Sequence, residues 1–243
     1  MNASAPPQQR WVDGWLVRFS PGKAKRARCI NAVAAGRMTL GDKLVVCRQI
    51  FDEASLPLVF RITPFSQPAS LDDELDAMGL TRLDDTRVMV CTELPTASAE
   101  AWPDRVSLQR MGQSAFAHTV GQLRGSPLAQ RQAHAQRLEL SPVPFEGWAL
   151  KRSDDGAVFA CGQIAREADL VGIYDVFTAP EARGQGWSRR LCEHLLSLAR
   201  QQGARTAYLQ VDADNAPARA VYHRLGFADG YAYHYRTPSA ASG

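Results

Sequence analysis

At 243 residues, 45% of them apolar and 22% charged, the chain has material for one large core or two small ones, which excludes a segment too polar to fold. A net charge of +3 is well short of a nucleic-acid-binding footprint, although Arg183, Arg189 and Arg190 gather closely enough to suggest a local anionic ligand. Five cysteines (Cys29, Cys47, Cys91, Cys161, Cys192), odd in number and without CxxC spacing, argue against a disulfide framework or a zinc site and for a reducing cytoplasm; no run is long enough to span a bilayer.

In chain order, MNASAPPQQR has no apolar signal core, and residues 1–10 are expected to be a disordered tail, as is the closing SAASG. A first block, 11–95, begins with GWLVRF and RARCINAV as strands. LGDKLVVCRQIFDEASL follows as an amphipathic helix with Leu44, Val45, Ile50 and Phe51 toward one side. PLVFRIT reads as a strand, LDDELDAM as a short helix stopped by Gly79, and TRVMVC as another strand. Ser, Thr, Ala and Pro then mark a linker, 96–108.

The second block, 109–238, opens with a helical stretch broken at Gly125-Ser126-Pro127. EGWALKR, AVFACGQI and LVGIYDVFT read as strands. WSRRLCEHLLSLARQQ is a helix with Trp187, Leu191, Leu195 and Leu198 on its packing side. TAYLQV is a strand, APARAVYHRL a helix ended by Gly226, and Phe227–Tyr235 a last strand. The strand–turn–helix–Gly–apolar order of PLVFRIT to Leu80 recurs from TAYLQV to Phe227, which raises the question of a duplication.

RGQGWSR, Arg183–Arg189, stands between a strand and a helix. The first amides of a helix lack internal partners and carry a partial positive charge, so an anion fits there, and glycine lets the backbone approach it. A plain turn with solvated arginines is the bland alternative. No lysine completes a P-loop. A dinucleotide fingerprint fits at Gly184 and Gly186 but has Arg189 in place of the third glycine, with Asp212 as its ribose acid.

Two segments together carry a more specific likeness. VFTAPEARGQGWSRRL, Val176–Leu191, resembles the acetyl-CoA-binding motif [RQ]-x-x-G-x-[GA] of the GCN5-related N-acetyltransferase (GNAT) superfamily, with Arg183, Gly186 and, departing at the last position, Ser188. DADNAPARAVYHRLGF, Asp212–Phe227, resembles that superfamily's second cofactor segment.

The resemblance implies an α/β (α+β) fold: a mixed, mostly antiparallel sheet flanked by helices and splayed open for the cofactor, with two such units in tandem. It further implies that Val176, Phe177 and Thr178 pair with the pantetheine arm. Arg183, Gly184, Gln185, Gly186, Trp187, Ser188 and Arg189 would hold the pyrophosphate, and Asn215 would bond the pantetheine region. Tyr222 would protonate the leaving thiolate.

The alternative readings are a helix cap for Asn215 and a core aromatic for Tyr222. Asp175 is the first choice of general base and Glu167 the second; in this superfamily the base varies, and water can serve. None of the five histidines has metal-ligand spacing, so no metal is expected.

Setting Gly79 on Gly226 puts Pro68 opposite Asn215 and Leu75 opposite Tyr222, and the turn near Gly36–Gly41 lacks the motif. The first block therefore reads as a unit that has lost its cofactor chemistry. The expected activity is transfer of an acetyl group from acetyl-CoA to a primary amine of a small molecule, with no nucleic-acid or membrane partner and a homodimer left open. A CoA-binding sensor without turnover and a dinucleotide-dependent oxidoreductase are the rivals.

Overall fold

A computed structural model describes residues 3, 5–20, 24–96 and 101–239. The chain divides into two units. The first holds residues 4–87 together with 212–214 and 231–243; the second holds 88–211 and 215–230 together with 1–3.

In the first unit, β1 (Gln9–Val12), β2 (Trp15–Arg18) and β3 (Ile30–Ala32) form an antiparallel meander. Helix α1 (Leu40–Glu53) carries the chain to β4 (Phe60–Ile62), which lies parallel to β3. Helix α2 (Leu71–Ala77) ends before Gly79, whose φ of 81° suits a residue without a Cβ. Strand β5 (Leu80–Cys91) then leaves the unit after Arg87. Trp15, Val17, Ile30, Phe51, Phe60, Leu71 and Leu75 make the core.

The second unit repeats this order from its meander onward, after an opening of its own. It opens with β6 (Val106–Met111) and the helices α3 (Gln113–Leu123) and α4 (Leu128–Glu139), broken at Gly125-Ser126-Pro127 as expected. Strands β7 (Phe145–Arg152), β8 (Val158–Glu167) and β9 (Leu170–Thr178) form the antiparallel meander. Then come α5 (Trp187–Gln201), β10 (Thr206–Asp212) parallel to β9, α6 (Ala216–Arg224), Gly226 at φ 85°, and β11 (Ala228–Pro238). Leu191, Cys192, Leu195, Leu196 and Ala199 are buried along one side of α5, each large aliphatic contributing about 1.5–3 kcal/mol.

Four expectations change. The boundary near residue 95 does not hold: β5 passes from the first unit to the second at Arg87/Val88, and β11 returns at Gly230/Tyr231, where it lies antiparallel to β4. Strand periodicity cannot show which neighbours a strand pairs with. The linker 96–108 includes the start of β6 at Val106, while its residues 97–100 lie outside those described. The tail 1–10 is cut short by β1 at Gln9, and Ala3 packs in the Phe116 cluster; residues 1, 2, 4 and 240–243 lie outside the description.

In α1, Val45 is 69% exposed and the buried positions are Lys43, Cys47, Ile50 and Phe51. This is an i, i+4, i+7, i+8 face, which a lysine completes by sending its ammonium to the carbonyls of Asp13 and Ala35.

Candidate functional site

The site begins with a failure of strand pairing. Strands β9 and β10 are matched only from Leu170–Gly172 to Thr206–Tyr208. At the fork the hydroxyls of Tyr174 and Tyr208 lie 2.7 Å apart in a hydrogen bond. Beyond it, residues 173–178 and 209–212 share no ladder, which opens a groove.

A bulge shapes β9 just there: the single residue Gly162 on β8 opposes both Asp175 and Val176, and Asp175 takes φ 51°. The groove holds about 640 Å³ and is lined by Val176, Phe177 and Thr178 from β9, by the turn into α5, and by Asn215 and Tyr222 from the start and body of α6. All of these lie in the second unit.

The turn presents empty donors. Gly184 (φ 74°) and Gly186 (φ 80°) both need the left-handed region, and a Cβ built at either meets nothing within 4 Å, so open space faces the backbone. Gly186 is the N-cap of α5 and offers no side chain to its first amides. Among the described residues, no protein group accepts from the amides of Gly184 through Arg189. Thr178 Oγ1 is likewise buried without a partner. Orphaned donors around a concave surface fit a ligand with a diphosphate and an amide-bearing arm.

Of the twelve residues expected to hold the cofactor, Val176, Phe177, Thr178, Arg183, Gly184, Gly186, Trp187, Ser188, Arg189, Asn215 and Tyr222 line this groove. Gln185 does not: its side chain bonds Glu181 O and the Trp187 indole, leaving only its amide toward the turn. Two arginine side chains are committed locally. Arg183 donates to Thr178 O at 3.1 Å and stacks 5.7 Å from the Phe177 ring, and Arg189 pairs with Glu193 at 2.8 Å. Asn215 caps α6 by accepting from Ala218 N at 3.2 Å and also lines the groove. Ala182 from the turn and Pro217, Ala218, Val221 and Arg224 of α6 complete the lining; for the α6 residues, spacing to Tyr222 on one helix was the available signal.

Tyr222 packs edge-on against Phe227, with ring centres 6.0 Å apart. Burial first, and then Cys192, push its phenol above the ordinary value, against the opposing charge of Arg124. The phenol therefore stays protonated at neutral pH.

Asp175 is occupied. Its carboxylate takes Arg124 at 2.8 Å, Gln163 Nε2 at 2.7 Å and His134 at 3.2 Å. Burial alone would raise its carboxyl, but the His134 contact and the charges of Arg124 and His134 hold it far below the carboxylate range. A group so acidic accepts a proton poorly. Asp175 is also not among the groove-lining residues. Sequence reading missed Arg124 and His134, which reach Asp175 from the C-cap of α3 and from α4.

Glu167 faces Leu170 at the far end of the β8–β9 hairpin, roughly 25 Å along the strand from Thr178. His194, edge-on to Trp102 and Trp148, is lowered by burial and so is neutral. Asp212, the acid required by the dinucleotide alternative, does not line the groove.

All five cysteines are buried free thiols, and none lines the groove. Among the described residues, no three His, Cys, Asp or Glu side chains converge as metal ligands would, and no helix is long and apolar enough to cross a membrane.

Comparison with known proteins agrees with this geometry. The acetyltransferase (GNAT) family pattern matches residues 119–227. The uncharacterized N-acetyltransferase YobR of Bacillus subtilis (strain 168) is 25% identical over 230 residues, covering 94% of this chain and 91% of that protein. The aminoglycoside N(6')-acetyltransferase type 1 of Serratia marcescens is 30% identical over 114 residues, 43% of this chain and 76% of that enzyme.

Among solved structures, a GCN5-related N-acetyltransferase from Kribbella flavida shares the fold with a TM-score of 0.67 at 15% identity, over 99% of this chain and 92% of that one. A tandem GNAT protein from the clavulanic acid biosynthesis pathway does so with a TM-score of 0.68 at 19% identity, over 83% and 70%. A split sheet, a glycine turn with unfilled amides and these likenesses converge: the chain belongs to the GNAT family and is an acyl-CoA-dependent N-acetyltransferase.

Proposed function

We propose that the second unit transfers an acetyl group from acetyl-CoA to a primary amine on a small molecule, by direct attack within a ternary complex. The observation that carries this reading is the run of unpartnered amides from Gly184 to Arg189 at the end of the split between β9 and β10. When bound, acetyl-CoA supplies an activated acyl group.

The amides of Gly184–Arg189 grip its diphosphate, with the α5 dipole behind them. The free edge of Val176–Thr178 and the Thr178 hydroxyl hold the amide-bearing arm, and Asn215 adds a contact from the other wall. Tyr222 directs its phenol proton toward the departing sulfur. Asp175, tied by Arg124, Gln163 and His134, serves as an anchor that fixes the bulge beside Val176, and the amine's proton passes to water.

Direct attack is supported by the cysteines. Each is buried, and burial pushes Cys161 and Cys192 up to about 12, so no thiolate stands ready to carry the acyl group. A small acceptor is supported by the Serratia relative, which is named for aminoglycosides.

Thiol release from acetyl-CoA, measured over a panel of aminoglycosides, amino acids, polyamines and amine-terminated peptides, tests the proposal. Turnover with a small amine is expected. Turnover confined to peptides overturns the acceptor class, and release without any amine overturns direct transfer.

A further inference from the structure

In the first unit, Phe60 and Ile62 of β4 enter the core beside Trp15, so Arg61 between them points to the opposite side of the sheet. It is only 8% exposed there. Its register neighbours are Asn31 on β3 and Tyr235 on β11, and its guanidinium lies 4.0 Å from the Tyr233 ring centre. Nε and Nη2 are both buried, and among the described residues neither has a hydrogen-bond partner. These two nitrogens form one edge of the guanidinium plane, the fork that matches two oxygens of a carboxylate or phosphate.

A second cation stands close by. Arg18 is 9% exposed, and burial and the like charge of Arg61 both lower it, with Cys29 acting the other way. Two ionisable groups beside them, Cys29 and Tyr235, bring no counter-charge. Cys29, fully buried, is pushed up to about 11 by desolvation, and the Tyr235 phenol is raised by burial, so both are neutral at pH 7. A buried guanidinium edge left empty is costly, and an anion removes that cost.

We propose that the first unit holds a small oxyanion, a carboxylate or phosphate group, on the Nε/Nη2 edge of Arg61, with Arg18 as the supporting cation. The unit that lacks the acetyl-CoA motif thus keeps an anion site of its own, on β2 and β4 rather than at a helix turn.

Thermal unfolding of the full chain tests this, with potassium phosphate and potassium acetate each compared with potassium chloride at equal ionic strength. One of the two oxyanions raises the midpoint by about 2–4 °C beyond chloride, and which one does so identifies the headgroup. The gain vanishes in Arg61→Lys, which keeps the charge and loses the fork, while acetyl-CoA affinity measured by calorimetry is unchanged. No gain from either anion in the wild type overturns the site. An equal gain in Arg61→Lys also overturns it, because the anion then sits in the turn before α5 or is adventitious. Should that variant fail to fold, the wild-type Arg61 Nε–H resonance decides: it shifts with the anion if the site exists and stays fixed if it does not.

Discussion

The turns that enter α1 and α5 occupy the same place in the repeated order, and they solve the same problem in opposite ways. Before α1, Asp13 of the β1–β2 hairpin supplies a carboxylate that accepts from Arg37 N at 2.8 and 2.9 Å and from Met38 N at 2.7 Å. Thr39 then caps the helix by accepting from Asp42 N, and buried Lys43 pairs with Asp13 at 3.1 Å. Gly36 is required there, since a Cβ would strike that carboxylate at about 2.2 Å. Before α5, no side chain among the described residues fills the amides. A helix entry attracts negative charge in either case. What differs is whether the chain provides that charge or leaves it to a ligand.

Closing the open turn should have the largest effect. Gly186→Asp forces a residue with a Cβ into φ 80° and sets a carboxylate where the diphosphate binds. Acetyl-CoA affinity is expected to fall by more than roughly a hundredfold, about 3 kcal/mol, by calorimetry. Affinity within a few fold of wild type would show that the two turns do not differ in the way described.

The helices after the turns sharpen the contrast. Leu75 on α2 is fully buried, whereas Tyr222 at the matching place on α6 lines the groove. Tyr222→Phe should lower kcat about a hundredfold and leave the KM for acetyl-CoA nearly unchanged. Because its phenol is raised, the acid form persists upward in pH, so wild-type kcat should not fall between about pH 7 and 9.5 on this residue's account. A decline in that range that disappears in Tyr222→Phe would contradict the protonated phenol.

How much of this contrast a sequence can show depends on distance along the chain. The glycine turn, the α5 stripe and the break at Gly125-Ser126-Pro127 are local, and periodicity or backbone need reveals them. Asp13 meets amides 24 and 25 residues away, and Arg124 meets Asp175 across 51; spacing carries no trace of either contact. Lys43 looks like a surface residue until the carbonyls it serves are known. The passage of β5 and β11 between units is hidden for the same reason: a strand's pattern records a buried side, not its neighbours.

The second unit also has a wall the first lacks. Arg124, the C-cap of α3, and His134 of α4 converge on Asp175; these helices precede the β7–β9 meander, and among the described residues no α-helix precedes the matching β1–β3 meander. Asp175→Asn should cost about 2 kcal/mol at pH 7, less than the 3–5 kcal/mol of a fully buried pair because Arg124 is a third exposed. The carboxyl is depressed in the folded state, so its contribution is complete above the unfolded value of about 3.9 and is lost as pH falls below it. The stability gap between wild type and Asp175→Asn, followed by urea unfolding, should therefore narrow below about pH 4; a gap that widens on acidification would reverse the assigned sign.

The smallest effect on acetyl transfer is expected from Asp13→Asn, which opens the closed turn. The carboxyl is held low first by the Arg37 and Met38 amides and also by Lys43, so it stabilises the fold above about pH 4 and ceases to do so in acid. An amide oxygen can still accept one of those bonds, but it no longer matches the Lys43 charge. The unfolding midpoint should drop at pH 7 and converge with wild type in acid, while the acetyl-CoA Kd stays the same. A weakened Kd would mean that the first unit's turn helps to hold the cofactor. An unchanged midpoint would mean that Asp13 does not fill its turn as the diphosphate is proposed to fill the other.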